Sequence, residues 1–278
     1  MKLIKPLVIV EDDLDMVMPN GLKMYEHMAK KIELFARKCY KSEGRMTNES
    51  WKTFLKGIFA TKRHTGIAEH RTVSVTFITD RGVSHESVRH RMAAYLQEST
   101  RYCDYAKEGD QAHGVTYILP PWIEAKPHGV SDADRWEFIC DLKADDSRYA
   151  KYIAKGWRPE QARYWLPQGV KTEYAASLNL GSWWNFFMKR TPESAHPQMR
   201  QLAIPLLRYF QRRLPQFFDS IPMPEGAAHA STLDDADFPL TEGSEGFKFT
   251  HKGQRYDEAR LVVNPFYDQV EFEEVYRG

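Results

Sequence analysis

Residues 84–102 read SHESVRHRMAAYLQESTRY and place Arg89, His90, Arg91 and Arg101 in one short segment beside Ser99 and Tyr102. A surface helix normally sets acids among its bases at i+3 or i+4, because such pairs stabilise it. Here only Glu86 and Glu98 are available. Ser84 suits an N-cap, and the segment reads as a helix running to about Ser99, with Ser99 and Arg101 at its end. On such a helix Arg89 and Arg91 point to nearly opposite sides, so a compact ligand does not meet both from one face. Either an extended ligand lies along the helix edge, or two ligands or subunits meet there. Taken alone, an Arg-His-Arg triplet is a solvated face.

Upstream, VSVTFIT (73–79) alternates Val73, Val75, Phe77 and Thr79 with smaller or more polar residues, the pattern of a strand, before an Asp80-Arg81-Gly82 turn. Residues 21–38 carry Leu22, Tyr25, Met28, Ala29, Ile32 and Phe35 at helical spacing. That helix excludes a receiver-domain reading of the opening PLVIVEDD, which would require repeated βα units. Downstream, 105–131 reads as loop. Helices are predicted over 132–156, 159–165 (opened by Pro159), 177–190 and 197–214, with Pro205 expected to kink the last. From about 224 the composition shifts toward Gly, Ser, Asp and Ala, followed by strand-like FKFTHKGQRY (247–256). The chain therefore divides into a main unit, 1–225, and a peripheral extension, 226–278.

With 42% apolar and 28% charged residues over 278 positions, the composition is that of a soluble globular protein. A net charge of +1 argues against a general nucleic-acid binder, so no DNA partner is expected and any basic site must be local. Cys39, Cys103 and Cys140 form no paired spacing, which fits a reducing compartment. The start MKLIKPLVIVEDD is not a signal peptide, and no apolar run reaches membrane-spanning length. A cytoplasmic location is expected. His85-Glu86-Ser-Val-Arg-His90 is one residue too long for a zinc-protease pair, setting the imidazoles ~140° apart on a helix. No metal site is assigned, and no phosphate-loop or G-x-S-x-G pattern is present.

Several pieces recur in a particular order. RHR is followed, after seven residues, by Ser99 in STRY. Around it stand ARKCY (36–40), HTGIAEH (64–70) before the strand, ARYWLP (162–167), NLGSWWNFFMKR (179–190) and AHPQM (195–199). This set, spread over roughly 20–215, resembles the flavin-dependent thymidylate synthases. The resemblance implies an α+β fold with a central, mainly antiparallel sheet flanked by helices. It also implies a homotetramer whose active sites combine several chains. The implied reaction carries a methylene group from methylenetetrahydrofolate to C5 of dUMP, with FAD as cofactor and NADPH as reductant, giving dTMP. No cysteine context matches the Pro-Cys-His site of the other thymidylate synthase type, which attacks its pyrimidine with a thiol.

By resemblance, the cofactor-binding residues are His64, Gly66, Glu69, Arg89, His90, Arg91, Gln97, Asn179, Asn185 and His196. The substrate-binding residues are Glu86, Arg89, Gln97, Glu98, Ser99, Thr100, Arg101, Arg163 and Arg190. Arg190 and Ser99 are the catalytic candidates: Arg190 favours ionisation at N3 of the pyrimidine, and Ser99 is a binding hydroxyl, since no base is fixed beside it. Arginines suit this chemistry because they hold phosphates through charge-assisted, often bidentate hydrogen bonds. The chain departs from many members at Gly66, Ala94, Leu96, Gln97 and Gly181. Gly181 stands where many carry an arginine, and Lys189 and Lys171 are nearby cations able to compensate. Those departures leave two alternatives open: flavin- and folate-dependent methylation or hydroxymethylation of another pyrimidine nucleotide, and a catalytically silent relative that binds nucleotide or RNA.

Overall fold

The computed structural model describes residues 2–4, 6–106, 114–124 and 132–223, together with the backbone of four short strands beyond residue 249. The first part of the chain forms strands β1 (Lys2–Ile4) and β2 (Leu7–Val10), then helices α1 (Met24–Cys39) and α2 (Ser50–Lys56). Strand β3 (Thr72–Asp80) leads directly into α3 (Arg81–Ser87), followed by β4 (Ala93–Gln97) and β5 (Thr116–Ile118). Helices α4 (Pro121–Glu124), α5 (Asp132–Ala154) and α6 (Pro159–Ala162) precede β6 (Lys171–Asn179). Then come α7 (Leu180–Arg190), α8 (Pro197–Arg213) and α9 (Pro215–Phe218). The late strands are β7 (Thr250–His251), β8 (Gln254–Arg255), β9 (Leu261–Val263) and β10 (Val270–Glu271). The rest of the 226–278 extension lies outside the described residues.

The main sheet has the order β4-β6-β3-β2-β9, and its four strand pairs are all antiparallel, in line with the α+β expectation. Its spine is the ladder of β3 with β6, running from Thr72 opposite Asn179 to Asp80 opposite Lys171. On β6, Thr172, Tyr174, Ala176 and Leu178 are buried while the odd positions are half-buried, so one face meets the core. Against that face lie the apolar sides of α1, α7 and α8. Phe77 stacks on Tyr174 at 5.0 Å, and Trp183 packs among Phe77, Phe186, Phe187 and Phe210 while its Nε1 donates to the Val73 carbonyl at 3.0 Å. That bond satisfies the one polar atom of a fully buried indole. A second, smaller cluster joins Tyr105, Tyr117, Ile139, Tyr149 and Val170 beneath α5.

Three sequence expectations are corrected, the first being the loop over 105–131, which carries β5 paired with β1 and the short helix α4. The predicted helix over 84–99 ends at Ser87, and Ala93–Gln97 is strand. Asp80, rather than Ser84, is the N-cap: its Oδ1 accepts the Val83 N–H at 2.7 Å, its other oxygen accepts from Gln198, and Ser84 Oγ donates to the Arg81 carbonyl. The helix stops because pairing with β6 places Ala93 opposite Leu178 and Gln97 opposite Tyr174. The Tyr95 hydroxyl then folds back to donate to the carbonyls of Ser87 (2.8 Å) and His90 (3.1 Å), groups a helix end leaves open. The predicted helix over 177–190 likewise begins only at Leu180, since Ser177 to Asn179 complete β6. The other helices fall close to their predicted spans, and α8 continues through Pro205 to Arg213.

Candidate active site

Because the chain turns between α3 and β4, Arg89, His90 and Arg91 form neither a helix face nor opposed side chains. All three line one cleft of about 560 Å³ facing α7. The opposite wall comes from Asn179, Gly181, Asn185, Lys189 and Arg190, and the 65–70 turn adds Thr65 and Glu69. Asn179 is at once the last residue of β6 and the N-cap of α7, its Oδ1 accepting the Ser182 N–H at 2.7 Å. The cleft is cationic: Arg89, Arg91, Lys189 and Arg190 stand against the single carboxylate of Glu69.

Arg190 is the most tightly held of these cations. Nη1 donates to Glu86 Oε2 at 2.7 Å, Nη2 to the Glu86 carbonyl at 2.9 Å, and Nε to His90 Nε2 at 3.0 Å. An accepting Nε2 requires a neutral imidazole with its proton on Nδ1. The electrostatics agree: burial first, then the charges of Arg190 and Lys189, pushes the His90 pKa down to about 4. His90 itself packs against Phe186 with ring centroids 5.0 Å apart. A guanidinium has five N–H donors, so two on Arg190 remain for a ligand.

The other candidates gather elsewhere. At the far end of β4, Gln97 Nε2 donates to Ser84 Oγ (2.9 Å) and Thr172 Oγ1 (3.0 Å), tying α3 to the sheet. Glu98 accepts from the Tyr105 hydroxyl at 2.7 Å and pairs with Lys171 at 3.0 Å, while Lys171 also reaches Glu173 at 2.5 Å. Burial lowers the Lys171 pKa, but Glu98 and Glu173 outweigh it, so the ammonium is held above its ordinary value. Beyond Glu98, Ser99 Oγ accepts the Arg101 N–H at 3.3 Å, and Arg163 Nη1 donates to Thr100 Oγ1 at 3.3 Å. Arg101 is exposed beside Glu160 at 3.8 Å. This group begins roughly 17 Å along β6 from Asn179, at Tyr174 opposite Gln97, and ends roughly 26 Å from it at Lys171, at about 3.3 Å per residue.

Besides Gln97, three cofactor candidates stand outside the cleft in the single chain. His64 is exposed with its Nδ1 2.8 Å from the Tyr40 hydroxyl, Gly66 is exposed, and exposed His196 lies edge-on to Trp122 at 5.8 Å. Of the two compensating lysines, Lys189 lines the cleft and Lys171 does not. Sequence reasoning missed Thr65, Met92, Ser182 and Trp184 among the lining residues, and the whole Tyr105–Glu98–Lys171–Glu173 network. The alternation of Thr172, Tyr174, Ala176 and Leu178 was the available signal for the strand that builds that network.

Fold and cleft together define an α+β protein with a cation-lined pocket between a β-edge turn and a helix. The chain belongs to the thymidylate synthase complementing protein family, whose profile matches residues 22–216. The flavin-dependent thymidylate synthase of Geobacter sulfurreducens is 29% identical over 211 residues, covering 70% of this chain and 85% of that protein. Those of Pyrococcus furiosus (54% of this chain, 59% of theirs) and Sulfolobus acidocaldarius (63% and 63%) are each 32% identical. Among solved structures, a UMP/dUMP methylase, PolB from Streptomyces cacaoi bound with 5-Br dUMP, superposes with a TM-score of 0.59 at 15% identity, over 79% of this chain and 96% of that one. At that identity the likeness concerns the fold.

Proposed function

We propose that this chain is a flavin-dependent thymidylate synthase that methylates dUMP at C5 to give dTMP, with FAD as cofactor, methylenetetrahydrofolate as carbon donor and NADPH as reductant. The observation that carries the reading is the convergence of Arg89, His90 and Arg91 with Asn179, Asn185 and Arg190 around one cleft. These six are distant in sequence and correspond to flavin and nucleotide positions of the family. The donor set suits a dinucleotide: cations outnumber the one carboxylate, amide side chains offer directed hydrogen bonds, and Gly181 leaves part of the wall bare. A bound flavin supplies hydride transfer.

The protein's own part is binding and polarisation. Glu86 and His90 fix the plane of Arg190, and its two remaining donors are available to a pyrimidine edge. A fixed cation beside N3 of the pyrimidine lowers the pKa there and makes C5 more nucleophilic. The Glu86 carboxylate holds that cation and offsets part of its charge. Ser99 Oγ accepts only a backbone N–H among the described residues, which supports a binding hydroxyl rather than a nucleophile.

The second group, Gln97 to Arg101 with Arg163, is assigned to the nucleotide of a site completed by another copy of the chain. Its distance from the cleft supports this, as do the exposed apolar side chains of Met92, just before β4, and Leu96, on it, 75% and 81% exposed. The assembly proposed is a cytoplasmic homotetramer, with 1–225 as the catalytic unit and 226–278 as a peripheral extension. No described helix is long and apolar enough to cross a membrane.

The test is the visible spectrum of the purified protein, followed by anaerobic NADPH with and without dUMP and product analysis from dUMP, UMP and dCMP separately. Flavin bands that bleach faster with dUMP, and dTMP as the product, are expected. Protein that stays colourless after soaking in FAD contradicts the flavin reading. A C5-substituted product from UMP or dCMP with dUMP inert reassigns the substrate.

A further inference from the structure

Gly181, Asn185 and Lys189 recur every fourth residue along α7, so they share one helix face, and all three line the cleft. The first of the three contributes no side chain. A Cβ at Gly181 would stand 3.4 Å from Asn179 Oδ1, 3.7 Å from Ala68 Cβ and 3.8 Å from Glu69 Cγ, ordinary contact distances. Packing at the Cβ therefore does not demand glycine, and this wall could hold a larger residue. Two turns further on, Lys189 is exposed, and it has no ion pair to a described acid. Its charge is felt inside the cleft, since it is one of the groups that hold His90 neutral. Lys171 cannot serve this wall, because Glu98 and Glu173 hold it at the other end of β6.

We propose that Lys189 is a cofactor-binding residue of this chain, supplying to the pyrophosphate of the flavin dinucleotide the cation that the Gly181 wall lacks. This rests on the flavin reading above. An ammonium on a flexible four-carbon stem suits the task, because it meets phosphate oxygens as a point charge without the fixed fork geometry of an arginine. At 1.5 Å per residue it stands about 12 Å along α7 from Gly181, beyond Asn185 on the same face, so its charge serves the same wall from the other end. The cleft thus keeps a cation on its α7 wall by moving it along the helix.

The experiment titrates FAD into the apo forms of the wild type, K189M, K189Q and the double variant G181R/K189M, reading flavin fluorescence at low and at high salt. Lys189 is exposed, so melting curves of the variants should overlay that of the wild type. Loss of the ammonium in K189M or K189Q is expected to weaken FAD binding about tenfold, or ~1.4 kcal/mol, with a shallower salt dependence. The double variant is expected to recover most of that loss. FAD binding by both single variants within twofold of wild type overturns the inference and leaves the flavin reading standing. A double variant as weak as K189M overturns the claim that positions 181 and 189 serve the same ligand. A wild type that binds no FAD overturns the flavin reading, and the role of Lys189 with it.

Discussion

The two ends of β4 handle charge in opposite ways. Before the strand, Arg89 and Arg91 are exposed on the cleft without an ion pair to a described acid, and Lys189 faces them in the same state. After the strand, Lys171 lies between Glu98 and Glu173, and the Tyr105 hydroxyl completes the Glu98 carboxylate. Arg190 is intermediate, anchored by Glu86 and His90 with two donors left over. Paired charges fix a backbone, whereas unpaired ones on a concave surface keep their attraction for a ligand. The far end of β4 is therefore a framework for the Ser99–Arg101 turn, and the near end leaves its cations open to the anionic ligand proposed above.

Breaking the framework should have the largest effect. Replacing Lys171 with Met leaves two facing carboxylates, each with a side chain about 15% exposed, without their cation. Removing one partner of a buried pair costs on the order of 3 kcal/mol, or a fall in Tm of roughly 6–12 °C. Thermal melts of K171M against wild type at pH 7.5 should show this loss. Arg190→Met should come next, on activity rather than folding: kcat/KM for dUMP is expected to fall about 100-fold, close to 2.7 kcal/mol of transition-state stabilisation. A variant retaining near wild-type kcat/KM would remove Arg190 from the reaction.

His90 sharpens the comparison through pH. The unfolded chain takes up a proton on this imidazole below about pH 6.5, whereas the folded protein does so only below about 4. The unfolded state therefore binds more protons between these values, and stability falls as the pH drops through that window. The expected contribution is about 2–3 kcal/mol at neutral pH, lost by pH 4. Urea unfolding of wild type and His90→Asn from pH 7.5 to 4 should show their stability difference shrinking by that amount. A difference that stays constant with pH would mean that the imidazole is not held neutral. The smallest effect belongs to Glu160, whose partly exposed carboxylate meets Arg158 at 3.0 Å and Arg101 at 3.8 Å. Glu160→Gln should shift unfolding by less than about 0.5 kcal/mol.

These contrasts were unevenly legible in the sequence. The strand at 73–79 and the helix α1 follow from apolar spacing, and six ordered motifs in the sequence point to the family. The 84–99 segment misled because Ser84, Val88 and the Ala93-Ala94 run satisfy a local helix pattern, while the pairing that makes Ala93–Gln97 a strand comes from Tyr174 to Leu178, some eighty residues away. Reading Arg89 and Arg91 as diverging followed from that helix, and the turn brings them together. The Glu98–Lys171 pair was invisible for the same reason, since no local spacing connects positions so far apart. By contrast, the cleft face of α7 was nearly complete in NLGSWWNFFMKR, because helical periodicity alone aligns Gly181, Asn185 and Lys189.

The most direct test of the asymmetry is hydrogen exchange on the full-length protein, with and without saturating FAD. Protection is expected to rise in peptides covering 87–92 and 179–190, with little change across 98–105 and 163–173 until dUMP is added. Protection by FAD confined to 98–105 and 163–173, with the 87–92 turn and α7 unaltered, would contradict the assignment of the unpaired cations to the cofactor.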